Sequence, residues 1–419
     1  MTSNVEKEAF VWIWLPGETE PVVAGRLESD KGAIFFNYGK SYLDRIGDSK
    51  PAIAIYEPEL PLNAGILPLP EGLTMPGCIR DAAPDAWGRR VIINKKFGLK
   101  GASTDTADLD ELSYLLESGS DRIGALDFQR SPKKYLPRTA HNVSLEELIE
   151  SAERVEKGVP LTPELDQALF NGSSVGGARP KALIQDQGKK YVAKFSSSTD
   201  LYSVVKAEFI AMRLAELAGL NAAPVKLVKA ANKDVLLINR FDRVPKGDTW
   251  ARKAMVSALT LFRLDDMMAR YASYETLSEI IRHRFTEPKN TLKEMFSRLV
   301  FNILCGNTDD HARNHAAFWD GHALTLTPAY DICPQGRTGN EASQAMLISG
   351  DNNLSQLKTC LETAHNFLLS KEEARETCGD LIGAIEQHWD TVCEEAELND
   401  VDKNRLWRRQ FLNPYSVEQ

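Results

Sequence analysis

Hydrophobic residues change rhythm along this chain. In the first third they form short runs or alternate with polar ones: VWIWL (residues 11–15), PVVAGRL (21–27), AIFFNY (33–38) and PAIAIYE (51–57). Each run is bounded by Gly, Pro, Asp or Ser clusters, which predicts short strands joined by turns. DAAPDAWGRRVIINKKFG (81–98) predicts a turn entering a helix, with Pro84 and Asp85 at its start. After a Pro-rich break at 131–138, SLEELIESAERVEKG sets Leu145, Leu148 and Ile149 on one side of an amphipathic helix. KALIQ and YVAKF predict two strands joined by DQGKK. The helix AEFIAMRLAELAGL follows, with Ala207, Ile210, Ala211, Leu214 and Ala218 at helical spacing and Gly219 as its stop. PVKLVKA and DVLLINRFDR predict a strand pair. From about Lys253 onward helical patterns dominate, the clearest being TLKEMFSRLVFNILCGN, where Leu292, Met295, Phe296, Leu299, Val300 and Ile303 form one stripe. A β-rich half followed by an α-rich half predicts a two-lobed α+β enzyme.

Composition narrows the class. The chain has 419 residues, 43% hydrophobic and 26% charged, with a net charge of −9. Its apolar content predicts a packed protein rather than a disordered one, and its acidity argues against a stand-alone nucleic-acid binder. No window approaches the roughly 18 consecutive apolar residues of a membrane span. The start ends its short apolar run at a Pro-Gly turn, so it predicts a strand, not a signal peptide. Six scattered cysteines without a C-x-x-C pair predict buried free thiols in a reducing cytoplasm.

The richest chemistry lies in NTDDHARNHAAFW (307–319), directly after the apolar helix. Asp309 precedes Asn314 by five residues, and Asp331 follows in LTPAYDICPQG. A protein-kinase catalytic loop places a base Asp five residues before a metal-binding Asn, with a second metal-binding Asp on a later segment. An ionised carboxylate can take a hydroxyl proton, and Asn and Asp oxygens are the hard ligands that Mg2+ prefers. Asp309 or Asp310 could instead cap a following helix. His311 and His315, four apart, could form a metal pair on a helix, although a packing role suits His315 better. Upstream, Gly176 and Gly177 would let the backbone approach an anion whose charge Lys181 answers, unless the loop is an ordinary hairpin turn. Lys194, mid-strand in YVAKF, is either an edge charge or an inward phosphate ligand; the next helix offers Glu208 and Glu216 as partners, and Glu208, near the helix start, is the candidate.

The strings SVGGARPKALI, YVAKF, INRFDR, GNTDDHARNHAAF and PAYDI, with FFNYGKSYL and CIRDAAPDAWGRR upstream, resemble the HipA family of toxin serine/threonine kinases. The resemblance implies a two-lobed protein-kinase-like fold. Residues 1–135 would form the family's β-rich N-terminal subdomain, 136–245 the small lobe and 246–419 the helical lobe. It implies Asp309 as catalytic base, with Asn314 and Asp331 holding Mg2+. Gly176, Gly177, Ala178, Arg179, Pro180 and Lys181 would cover the ATP phosphates, and Lys194 would contact them. Asn239, Arg240 and Phe241 match the hinge that meets adenine largely through backbone groups, and His311 and Tyr330 match further nucleotide positions. Ser174 matches the autophosphorylated loop serine, with Ser173 beside it as the alternative; a phosphate there would repel nucleotide and switch off activity. The implied partners are an aminoacyl-tRNA synthetase substrate, such as glutamyl-tRNA synthetase, and a HipB-like helix-turn-helix antitoxin through which the chain meets operator DNA. The basic KNRLWRRQ (403–410) would touch DNA in such a complex or be a solvated helix face. Two other functions fit the composition: a catalytically silent, nucleotide-binding partner of a repressor, and a metal-dependent phosphohydrolase using Asp309, Asp310, His311 and His315.

Overall fold

Of the predicted runs in the first third, VWIWL, PVVAGRL and AIFFNY fall in strands, whereas PAIAIYE (51–57) forms none and makes only an isolated bridge between Tyr56 and Leu60. In the computed structural model, β1 (Glu8–Ile13), β2 (Val22–Asp30), β3 (Ala33–Tyr38), β4 (Ile66–Leu67) and β5 (Leu126–Gln129) form one antiparallel sheet in the order β4-β3-β2-β1-β5. The described residues are 6–417 apart from 46, 48–49, 98–108, 139–143, 158, 160–178, 198–199, 201 and 338. The chain gathers into two units, residues 1–199, 229–256 and 319–322 in one and 200–228, 257–318 and 323–419 in the other.

In the first unit the inward residues Val11, Ile13, Leu27, Phe36 and Phe128 are buried, as period-two alternation requires. A side chain at Gly25 would put its Cβ 2.2 Å from the Asn37 carbonyl across the β2–β3 pair, so only glycine fits there. Helices α1 (Ala86–Phe97), α2 (Glu111–Glu117) and α3 (Leu145–Glu156) belong to this unit. Asp85 Oδ1 accepts from the Trp87 and Gly88 amides at 3.1 and 3.2 Å, which starts α1 where Pro84-Asp85 predicts. Ser144 and Glu147 start α3 by bonding each other's backbone amides. Strands β6 (Lys181–Asp186) and β7 (Lys189–Phe195) form a hairpin. Its two-residue turn, Gln187-Gly188, has positive φ at both positions, as a tight hairpin of this twist needs. The strand β8 (Val225–Ala230) precedes β9 (Lys233–Asn239), which pairs antiparallel with β7. A second hairpin, β10 (Arg243–Lys246) and β11 (Thr249–Arg252), follows.

The second unit is helical. Helix α4 (Val204–Leu217) ends at Gly219, φ +85°, where the Leu220 amide returns to the Ala215 carbonyl. Helices α5 (Tyr274–Arg284) and α6 (Pro288–Leu304) follow, and α6 buries the whole predicted stripe. The long α7 (Lys371–Glu395) packs on both α4 and α6, and α8 (Asp400–Leu406) comes after it. Helices dominate after Lys253, as predicted, with the short strands β12 (Ala254–Ser257), β13 (Ala316–Trp319) and β14 (Leu324–Leu326) among them. They are three or four residues long, too short for a periodic signal to register. All six cysteines are buried and unbridged. Among the described residues no helix is long and apolar enough to cross a membrane.

Candidate active site

Helix α6 delivers the chain to the polar turn at Gly306, φ +73°. An added Cβ there would lie 2.7 Å from the Gln410 carbonyl, so the tight exit depends on glycine. Asn307 then ties the turn back to the helix, its amide bonding the Asn302 carbonyl (2.8 Å) and its Nδ2 the Asn302 Oδ1 (3.0 Å). Residues 309–314 do not form a helix. The Asp309 carbonyl accepts from the His311 amide at 2.9 Å and from Asn314 Nδ2 at 3.1 Å, and the Asn314 amide bonds the His311 carbonyl at 2.8 Å. The five-residue spacing is thus the size of one closed turn. Because Asn314 spends its NH2 on that closure, Oδ1 is the end that would meet a cation.

The two adjacent carboxylates face different worlds. Asp309 is exposed, whereas Asp310 is buried, 2.9 Å from His315 Nε2, and accepts from the Tyr274 hydroxyl at the start of α5. Tyr274 and His315 also meet, at 3.2 Å. Burial first, then the Asp310 charge, pushes the Tyr274 phenol well above its usual range, so it stays a hydrogen-bond donor. Asp310 and His315 therefore serve the fold. The geometry gives neither a helix-capping role for Asp310 nor a helical His311/His315 metal pair. Asp309 is pushed upward mainly by partial withdrawal from water; Asp331 and Asp310 add to this and His311 opposes it.

Asp331 follows a segment anchored by paired backbone bonds, Ala329 N to Asn221 O (2.7 Å) and Ala223 N to Ala329 O (2.8 Å). Its φ of +59° is a left-handed conformation that Asp tolerates better than most residues. Such backbone recurs at functional sites. Tyr330 donates its hydroxyl to the Arg313 carbonyl at 2.8 Å, joining this segment to the turn. The second unit thus brings together Asp309, His311, Asn314, Tyr330 and Asp331. His311 Nδ1 is buried and meets no hydrogen-bond partner among the described residues. A buried, partnerless imidazole nitrogen suits a ligand that completes it. Asn314 and Asp331 offer two hard oxygens. Two protein ligands suit Mg2+, which keeps waters and binds substrate phosphates alongside them. Glu208 is buried in the first half of α4.

The first unit holds the remaining predicted residues. Lys181 and Lys194 pair directly across β6 and β7, so their side chains share one face of the sheet, with Leu236 of β9 opposite Lys194. Both lysines are buried. Trp87 Nε1 donates to the Lys181 carbonyl at 3.1 Å, and Lys181 Nζ is 4.0 Å from Asp85 Oδ2. Pro180 accepts from the Phe195 amide, which fixes the strand start next to Arg179. Asn239 pairs with Tyr191, whose position alternates to the other face from Lys194, so from that side its backbone is the group that the Lys194 face shares. Arg240 bonds Lys190 through its backbone amide, while its side chain is buried between Asp121 and Asp242. Gly176, Gly177, Ala178, Ser173 and Ser174 lie outside the described residues. Sequence patterns did not single out Asp121, Asp242 or Tyr274. Each acts through a partner at least 36 residues away, except the local Arg240–Asp242 and Asp242–Arg243 pairs, which INRFDR contains in plain view.

Family models match both halves of the chain: the HipA N-terminal domain at residues 14–129 and the HipA-like C-terminal domain at residues 173–389. The chain belongs to the HipA family. The serine/threonine-protein kinase toxin HipA of Shewanella oneidensis is 26% identical over 265 residues, covering 53% of this chain and 59% of that protein, less than two thirds of its length. The putative kinase Y4mE of Sinorhizobium fredii is 24% identical and covers 76% of each chain. In the solved complex of Shewanella oneidensis HipA with HipB and its operator DNA, the matched chain has a TM-score of 0.68 at 20% identity, covering 94% of this chain and 93% of that one. That likeness establishes the HipA fold, with a β-rich N-terminal region and a helical C-terminal region.

Proposed function

We propose that the chain is an ATP- and Mg2+-dependent serine/threonine protein kinase, the toxin half of a toxin–antitoxin pair. The observation that carries this is the closed turn that leaves Asp309 exposed while committing Asn314 Nδ2 and burying Asp310. In this reading Asp309 accepts the proton of the attacking hydroxyl, and its upward-shifted carboxyl lies closer to the range where a base works well. Asn314 Oδ1 and Asp331 would hold Mg2+, which when bound neutralises charge building on the transferred phosphoryl group. His311, with its partnerless buried nitrogen, lines the nucleotide site with Tyr330. Lys181 and Lys194 answer phosphate charge from their shared sheet face, the family likeness assigns Gly176 to Lys181 to covering the phosphates, and Glu208 is the proposed partner of Lys194. Asn239, Arg240 and Phe241 present their backbone to adenine; the Arg240 side chain is already engaged.

The finer expectations follow the family. The substrate is proposed to be an aminoacyl-tRNA synthetase, a HipB-like helix-turn-helix protein is the antitoxin that connects the chain to operator DNA, and phosphorylation of Ser174, or Ser173 beside it, switches activity off. The test is peptide-level mass spectrometry of dephosphorylated wild type and Asp309→Asn after incubation with ATP and Mg2+. Phosphate on Ser174 in the wild type alone is expected. A loss of transfer of about 10²–10⁴-fold in Asp309→Asn is the size typical for removing a general base. A fully active Asp309→Asn variant refutes the base assignment. Nucleotide binding without phosphate on either protein would favour the silent partner of a repressor.

A further inference from the structure

Buried charge in the first unit is concentrated where two distant stretches meet: Asp121, Arg122 and Gly124, between α2 and β5, and Arg240, Asp242 and Arg243, after β9. Arg240 Nη1 lies 3.0 Å from Asp121 Oδ1, and Nη2 donates to the Arg122 carbonyl at 2.8 Å. Its Nε and Nη2 also grip Asp242 at 3.0 and 2.8 Å. Arg243 reaches Asp121 Oδ1 (2.8 Å), Asp242 Oδ2 (2.7 Å) and the Gly124 carbonyl (3.0 Å). Asp242 Oδ2 accepts from the Gly124 amide at 2.8 Å, and Lys190 Nζ on β7 is 2.7 Å from Asp121 Oδ2. The β7–β9 ladder ends at Asn239, with one further backbone bond from the Arg240 amide to the Lys190 carbonyl (2.8 Å). Beyond it, this cluster and the bond from the Lys253 amide to the Asp242 carbonyl (3.0 Å) set the course of the chain.

We propose that Asp121 is a positioning residue for the nucleotide: by clamping Arg240 and Arg243 it fixes the backbone of Asn239–Phe241. The proposal rests on the nucleotide-binding part of the proposed function. The segment matched as the N-terminal domain then supplies part of the nucleotide lobe itself. Removing one carboxylate would leave buried guanidinium groups without their counter-charge, a situation that forces rearrangement. Arginine's rigid fork makes that rearrangement a displacement of backbone, since several of its acceptors are carbonyls. Both carboxylates stay ionised at neutral pH: burial alone would raise Asp121, but Arg240, Arg243 and Lys190 hold it well below its usual range.

The experiment uses the full chain as wild type, Asp121→Asn, Arg243→Lys and, as control, Asp127→Asn. Asp127 is a buried partner of Arg122 and Arg138 in the same region and makes no bond to residues 240–243 among the described contacts. Hydrogen exchange without nucleotide should quicken at amides 236–243 in Asp121→Asn and Arg243→Lys, and not in Asp127→Asn. The same two variants should bind ATP about tenfold more weakly and raise KM for ATP with kcat preserved, the pattern of a misplaced binding surface. Asp127→Asn should lower the unfolding midpoint without either change. Wild-type exchange at 236–243, or unchanged ATP affinity, in Arg243→Lys and in folded Asp121→Asn overturns the proposal. A wild type that binds neither ATP nor ADP refutes the kinase reading and the nucleotide half of this proposal; the exchange arm then still decides whether Asp121 holds the segment.

Discussion

The turn around Asp309 and the cluster around Asp121 are both built on paired carboxylates, yet they use them in opposite ways. In the cluster, Asp121 and Asp242 are surrounded by Arg240, Arg243 and Lys190, and burial is outweighed by those cations. Asp121 stays well below its usual range and Asp242 falls to about 2. In the turn, one carboxylate is buried against Tyr274 and His315, and its neighbour Asp309 is left exposed with other carboxylates nearby. Fixed cations turn a carboxylate into scaffold, whereas partial withdrawal from water, with neighbouring carboxylates adding to it, pushes one toward a range where protons can be exchanged.

The comparison is most exposed to Asp310→Asn. If Asp310 is scaffold for the turn, replacing it should destabilise the protein by about 3 kcal/mol, the scale for breaking a buried charged contact. Chemical denaturation reads this, and an unchanged midpoint would remove the distinction between the two neighbouring aspartates. Gly306→Ala tests the backbone side of the same turn. A Cβ against the Gln410 carbonyl at positive φ should cost about 2 kcal/mol, and a variant as stable as wild type would show that the exit from α6 can relax.

Acid sharpens the other side. An aspartate whose pKa drops from 3.8 unfolded to about 2 folded binds its proton more readily in the unfolded chain. Its stabilisation is therefore complete above about pH 4 and is lost as the pH falls through 2. For Asp242 that is about 2 kcal/mol, and Asp121 adds in the same direction. Stability measured from pH 5 down to 2 should fall in wild type and fall less steeply in Asp242→Asn; parallel curves would mean that the cluster carries no linkage. The smallest effect is expected at the exposed pair of Arg313 and Asp266. Asp266→Asn should change stability by under about 1 kcal/mol, and a larger loss would mean that the turn depends on surface charge as well as on Asp310.

Legibility followed sequence distance. The strands at VWIWL, PVVAGRL and AIFFNY, the α6 stripe, the hairpin at Gln187-Gly188 and the α1 start at Asp85 could be read because their causes lie within a few residues, whereas the apolar run at 51–57 forms no strand. Asp309 and Asn314 were legible for the same reason, since one closed turn spans them. The Asp310–Tyr274 bond crosses 36 residues and the Asp121–Arg243 contact crosses 122. Charges leave no periodic trace of such partners. The division of labour between Asp309 and Asp310 was visible only as a spacing preference, because the residue that buries Asp310 sits at the head of another helix. The left-handed backbone at Asp331 had no signal either, as no glycine marks it.

The buried cysteines give the molecule a built-in clock. Cys78 belongs to the sheet-bearing unit, while Cys305, Cys333, Cys360, Cys378 and Cys393 belong to the helical one. Burial pushes Cys305 up to about 12 and Cys78 and Cys360 well above their ordinary range, so in the closed protein the reactive thiolate is scarce. Alkylation must wait for local opening, and the mass of each labelled peptide then dates the opening of its own unit, without any dye or tag having to be added.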